Sequence, residues 1–195
     1  MRHPTRSPIR LVAALLALVA GTNAGAASLA LLPADATVGT GDTVTLDVLL
    51  DATGAPGAIP GLYGGQFVVD FDPLLLQYTS FTAAPGVSFF SPPTVGTSGS
   101  RQTVTVGFDN GKGDGTSVGF FNFVALGPPG STTTLGLADA DDFFGTFISY
   151  VPTYQPFYPA FSGATVSVVP LPAAAWLLGA ALGSLGLLGR RRVTG

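Results

Sequence analysis

The sequence has no cysteine and no glutamate, and in 195 residues it has one histidine, one tryptophan and one methionine. Without cysteine there is no disulfide framework, no thiolate metal site and no thiol nucleophile. The one imidazole is His3, in a segment read below as an export signal. A Ser-His-Asp arrangement is therefore excluded from the rest of the chain. Charge is scarce as well, at 10% of residues against the usual quarter. The chain is instead rich in glycine (27) and proline (16), and 47% of it is hydrophobic.

The few charges are segregated. Arg2, Arg6 and Arg10 open the chain and Arg190, Arg191 and Arg192 close it; between them only Arg101 and Lys112 oppose eleven Asp. An acidic body repels phosphate backbones, which argues against a nucleic-acid partner.

Both ends read as sorting signals. A basic head precedes LVAALLALVA (residues 11–20), whose ten residues reach about 15 Å, half a bilayer core. Small residues follow, and Ala24-Gly25-Ala26 supplies an A-x-A site for signal peptidase, with Ala27 as the neighbouring alternative. Residues 1–27 are thus expected to form a cleaved signal peptide; the alternative is an uncleaved anchor. The head has no Arg-Arg pair, so export by Sec is expected. At the other end AAAWLLGAALGSLGLLG (residues 173–189) is 17 residues without a charge. Counting back through Val166 lengthens the apolar stretch to one that can span about 30 Å. Trp176 lies where indole rings favour the membrane interface, and the Arg190–Arg192 cluster is expected to fix the C-terminus in the cytoplasm.

VPLPAAAWLLGAALGSLGLLGRRR (residues 169–192) closely resembles the VPLPA variant of the PEP-CTERM sorting signal: a proline motif, a transmembrane helix and an arginine cluster, in that order. The resemblance implies that an exosortase recognises Val169, Pro170, Leu171 and Pro172 and cuts near them. It also implies transient residence in the inner membrane with the body outside the cytoplasm, then the cell surface or an exopolysaccharide matrix. The two prolines agree physically, since they resist helix and keep the motif extended.

The body, residues 28–168, reads as an all-β, antiparallel β-sandwich. TVTLDVLLD (43–51) places Val44, Leu46, Val48 and Leu50 on one face. QFVVDF (66–71) does so with Phe67, Val69 and Phe71, and RQTVTVGF (101–108) with Val104, Val106 and Phe108. SVGFFNFVAL (117–126) is expected to set Val118, Phe120, Asn122, Val124 and Leu126 opposite Phe121, Phe123 and Ala125. TTTLGL (132–137) and GATVSVV (163–169) complete the strands, and GTGD, GAPG, SPPT and GPPG read as turns. No amphipathic helix is evident in the body.

Two pieces carry a second resemblance. Gly41-Asp42-Thr43-Val44-Thr45-Leu46 precedes a strand ending in Phe71-Asp72-Pro73-Leu74-Leu75-Leu76, and this layout looks like the start of a cohesin-type domain. Cohesins share a fold with some carbohydrate-binding modules. The resemblance implies a nine-stranded jelly-roll and a dockerin-like protein as a partner. Asp72-Pro73 also has a local reason, because an Asp-Pro step closes a strand and opens a turn.

Three groups of residues invite chemistry. Asp70 and Asp72, or Asp139 and Asp141, stand at i, i+2 and could serve a glycoside hydrolase, but neither pair has a neighbouring cation or histidine in sequence to tune it. No enzyme is expected. DNGKGDG (109–115) and DADD (139–142) put carboxylates in glycine-rich or acidic loops; Asp139, Asp141 and Asp142 are the better candidates for Ca2+, the alternative being a solvated acidic patch. Tyr150, Tyr154, Phe157, Tyr158 and Phe161 alternate with three prolines, and Tyr150, Tyr154 and Tyr158 are the candidate ligand-binding residues. Either these rings stack on a glycan or they cap the sandwich core. The sequence therefore supports a non-catalytic surface or matrix protein associated with exopolysaccharide or biofilm. The alternative is a specific carbohydrate- or protein-binding module.

Overall fold

The computed structural model describes residues 27–55, 63–140, 147–150 and 154–170. The N-terminal signal with Ala24 and Ala26, the C-terminal stretch with Leu171, Pro172 and Arg190–Arg192, and Asp141 and Asp142 lie outside the described residues. Among the described residues no helix is long and apolar enough to cross a membrane.

Among the described residues thirteen strands form in chain order: β1 Ser28–Leu32, β2 Asp35–Gly39, β3 Thr43–Asp51, β4 Tyr63–Phe71, β5 Leu76–Ala83, β6 Ser88–Ser98, β7 Arg101–Gly111, β8 Asp114–Ala125, β9 Thr132–Asp139, β10 Phe147–Ser149, β11 Gln155–Phe157, β12 Ala160–Ser162 and β13 Ala164–Val169. Five make one sheet in the order β12-β1-β3-β8-β5. The other runs β11-β10-β4-β9-β13-β2, with β7 also on β4 and β6 on β7. The count exceeds the expected nine; the additions include the three-residue strands β10, β11 and β12. Nor is the pairing wholly antiparallel. β1 runs parallel to β12, and β2 runs parallel to β13, so the start of the body is held between strands from its end.

The alternation read from the sequence becomes the core. Val44, Leu46, Val48 and Leu50 of β3, Phe67, Val69 and Phe71 of β4, and Val104, Val106 and Phe108 of β7 are all buried. Phe67 joins the two sheets, its ring 6.0 Å from Phe108 in its own sheet and 6.3 Å from Phe121 and 6.2 Å from Phe81 in the other. Burying such a ring contributes about 1.5–3 kcal/mol, which lets the core stand without disulfides.

Three expectations are corrected. Val118 does not oppose Phe121: the β3–β8 register shifts between Val48 and Leu49, and this bulge turns Val118 inward with Phe121, Phe123 and Ala125. SPPT is not a turn but part of β6, which among the described residues is an edge strand paired to β7 alone; its register with β7 shifts around the prolines, as an edge allows. Val166 and Val168 are core residues of β13, so they cannot lengthen a membrane span. The uncharged stretch is left at residues 173–189, about 26 Å as a helix.

Candidate functional site

Strand direction divides the loops between two ends. At one end β3 and β9 finish, β4 and β8 begin, and the β7–β8 hairpin and the β5–β6 turn close over them. This end holds the tyrosine segment. At the other end lie the β2–β3, β4–β5 and β8–β9 turns and the exit of β13.

At the tyrosine end the aromatic segment splits by depth. Phe157 is buried, 5.7 Å from the Tyr63 ring and 5.8 Å from Phe147, and Phe161 packs 5.9 Å from Phe147. These rings cap the core. Tyr154 and Tyr158 instead face solvent, 76% and 75% exposed. Tyr150 lies between the two environments. Its hydroxyl donates to Asp109 Oδ1 on β7, and its ring meets Tyr154 edge-on at 5.5 Å. That hydrogen bond passes over Gly64 of β4, where a Cβ would stand 2.7 Å from Asp109 Oδ1, so glycine is required there. Burial first, and then the Asp109 carboxylate, push the Tyr150 hydroxyl well above the usual phenol range, which keeps it a proton donor.

The carboxylates are largely committed. Asp70 forms an ion pair with Arg101 Nε, and Arg101 Nη2 donates to Thr134 O at 2.7 Å and to Asp70 O at 3.1 Å. The expectation of no neighbouring cation is thus corrected: the β4–β7 register sets Asp70 opposite Thr103, and Arg101 follows closely. Asp72 lies beyond the strand, where its Oδ1 accepts from Leu74 N at 2.9 Å and its carbonyl from Leu75 N and Leu76 N. Both carboxylates have structural work, which leaves no acid–base pair here. Asp139 is the last residue of β9, paired with Phe67, and not part of a loop. Among the described residues no group of three carboxylate or imidazole side chains could hold a metal ion. Asp109 belongs to Tyr150, and only Lys112 and Gly113 separate β7 from β8.

A cleft of about 270 Å³ opens between the β5–β6 turn and this hairpin, with Ala84 and Val87 on one wall and Asn110, Lys112, Thr116 and Ser117 on the other. Sequence reading placed Lys112 in a carboxylate loop but gave no sign of the cleft, which depends on how two distant turns meet.

The outer faces of the sheets differ. On the larger sheet, side chains lie across the strands: Tyr150 and Asp109 over Gly64, Phe90 over Gly107 and Asp70 over Gly136. On the outer face of the five-stranded sheet, the pairing aligns Asp47 with Phe120 and Thr82, Thr45 with Asn122 and Ser80, and Thr43 with Val124 and Gln77. Thr45 Oγ1 donates to Asn122 Oδ1 at 2.7 Å, and Asn122 Nδ2 donates to Ser80 Oγ at 3.2 Å, a ladder across three strands. Along this face Thr43, Thr45, Gln77 and Thr82 are exposed, and Asp47, Ser80, Phe120, Asn122 and Val124 are half-buried.

No family model matches the sequence, and no curated protein matches it. Solved structures do. The third cohesin of ScaC from Acetivibrio cellulolyticus, in complex with the ScaB dockerin, aligns at 14% identity over 74% of this chain and 99% of that one, with a TM-score of 0.53. The seventh ScaB type I cohesin of Pseudobacteroides cellulosolvens aligns at 12% identity over 75% and 94%, with a TM-score of 0.53. A chain of the OlpA cohesin–dockerin complex of Clostridium thermocellum aligns at 12% over 74% and 100%, with a TM-score of 0.52. The body has the cohesin fold, a jelly-roll β-sandwich. Identities this low establish the fold alone.

Proposed function

We propose that the chain is an exported, non-catalytic binding module, sorted to the cell envelope through its C-terminal signal, whose cohesin-fold body engages a dockerin-like protein. The observation that carries this reading is the uncovered face of the five-stranded sheet. Its Thr, Asn and Ser side chains are fixed by the ladder, and the half-buried Phe120 and Val124 add apolar contact between them. A protein partner needs such a mixture, with an apolar centre and hydrogen-bonding groups already in place. The match to nearly whole cohesin modules supports the same reading. The ion-paired Asp70 and the turn-forming Asp72 favour binding over hydrolysis.

In this account signal peptidase removes residues 1–27 and an exosortase acts at Val169–Pro172, leaving the module at the surface or in an exopolysaccharide matrix. A second reading, glycan binding, is favoured by one specific observation: Tyr154 and Tyr158 are both exposed on a proline-stiffened segment, where rings can stack on sugar.

Immobilised body, exposed to the producing cell's secreted material, separates the two. The protein-partner reading expects a retained protein that is lost with Asn122→Arg and kept with Tyr154→Ala/Tyr158→Ala. Retention of a glycan alone, lost with the tyrosine variant and kept with Asn122→Arg, would overturn it in favour of the second reading.

A further inference from the structure

The end opposite the tyrosines carries an apolar surface that the proposed binding role does not use. Leu74, at the tip of the β4–β5 turn, is 81% exposed, and Leu126, which starts the β8–β9 turn, is 45% exposed. Val169 and the side chains of Pro128, Pro129 and Pro170 are exposed beside them. A single exposed leucine needs no explanation, but a group on one end of a domain does.

Backbone hydrogen bonds tie these turns into one plate. Leu126 N donates to Leu75 O at 2.8 Å, Gly41 N to Ala125 O at 2.7 Å, Gly130 N to Val168 O at 2.7 Å and Val168 N to Ser131 O at 2.9 Å. The two acidic residues of the plate are folded into their own turns, Asp42 accepting from Gly39 N and Asp72 from Leu74 N. Its nearest cation, Arg101, is held by Asp70. The plate therefore presents exposed leucine, valine and proline beside two turn-bound carboxylates, and it has no free positive charge.

The chain leaves the body through this plate. β13 ends at Val169, and the uncharged stretch begins at Ala173. Three residues intervene, which reach about 10 Å when fully extended. With Val166 and Val168 committed to the core, residues 173–189 as a helix would span about 26 Å against a hydrocarbon core of about 30 Å. A short span draws its flanks toward the bilayer rather than letting them stand away from it.

We propose that the plate bearing Leu74, Leu126 and Val169 rests on the lipid surface while the chain is anchored, with both leucines in the interfacial layer and the tyrosine end pointing away. This rests on the reading of residues 173–189 as a membrane span. The occupant is lipid because the tether leaves no room for anything else between plate and bilayer. The contact is made by the aliphatic side chains, because the plate has no free cation with which to favour anionic headgroups.

The absence of native cysteine and the single Trp176 make the test direct. Full-length chains bearing Leu74→Cys, Leu126→Cys or Tyr154→Cys, each labelled with an environment-sensitive dye, are reconstituted in phosphatidylcholine vesicles with and without phosphatidylglycerol. Lipid-borne bromine and aqueous iodide serve as quenchers. Bromolipid should quench the labels at 74 and 126 several-fold more than the label at 154, equally in both lipid mixtures, and iodide should show the reverse order. Labels at 74 and 126 as open to iodide as the label at 154, with Trp176 quenched by bromolipid, would overturn the docked plate and leave the anchor standing. If Trp176 itself escapes bromolipid, the anchor reading fails and the docked plate with it.

Discussion

The two ends of this sandwich are built from different residues for different surroundings. The leucine end is made of short turns whose backbone groups bond to one another, and its exposed side chains include Leu74, Leu126, Val169 and three prolines beside the turn-bound Asp42. The tyrosine end gathers Asp51, Asp109, Asp114 and Asp139 with Lys112, a cleft and two exposed tyrosines. One end offers exposed aliphatic side chains, the other carboxylates, a lysine and tyrosine hydroxyls with hydrogen bonds to offer. The contrast lies in the turns and strand ends, because the strands between them share one continuous core.

The largest expected effect separates the turn glycines of the two ends. Gly113 has φ +67 and a Cβ there would meet the Tyr63 ring and, at 2.8 Å, Ala52 Cβ; Gly41 has φ +88 with nothing within 4 Å. Gly113→Ala should cost about 2–4 kcal/mol, combining left-handed strain with overpacking. Gly41→Ala should cost only about 1–2 kcal/mol, from strain alone. Urea unfolding of both variants measures the difference, and equal losses would remove the distinction.

The next effects are smaller and sharpen the comparison. Arg101→Ala removes a half-exposed ion pair and two hydrogen bonds near the leucine end, and Tyr150→Phe removes one bond to Asp109 at the other. Each should cost about 1 kcal/mol. Their sum should hold in the double variant because the groups share no partner. A coupling well outside additivity would mean that the ends communicate through the sheet. Asp72→Ala should cost about 0.5–1 kcal/mol by freeing Leu74 N, with no change in Tyr154 exposure to iodide.

The smallest effect is a pH dependence. The Thr53 hydroxyl and then its backbone N–H, both bonded to Asp51 Oδ1, hold the Asp51 carboxyl below its ordinary 3.8. A depressed pKa stabilises the fold above the ordinary value, and the contribution is lost as pH falls below it through the folded value. Thr53→Val should weaken this depression while leaving the Asp72 turn at the other end unaltered. An NMR titration of the Asp51 carboxyl reads the first, and the Leu74 amide resonance reads the second.

The sequence was legible where burial follows a period of two. In β3, β4 and β7 each alternate apolar residue is in the core. It was misread where a residue's place depends on a neighbour far along the chain. Val118 changes face because β3 pairs with β8 through a bulge, and no local pattern announces that. Pro92 and Pro93 sit within β6 because no strand among the described residues pairs with its far edge. Arg101 finds Asp70 across 31 positions through the β4–β7 register. The tyrosine segment was half legible: its composition marked a candidate site, yet only the packing of Phe157 and Phe161 against Phe147 distinguishes capping rings from exposed ones.

The account centres on the uncovered sheet face as the surface that meets a partner protein. A photo-crosslinking residue placed at Asn122 of the full chain, in its producing cells, tests this most directly, with Thr105 on the outer face of the other sheet as the comparison. The account predicts a discrete protein adduct from position 122 and none from position 105. No adduct from 122, or the same adduct from both, would contradict it.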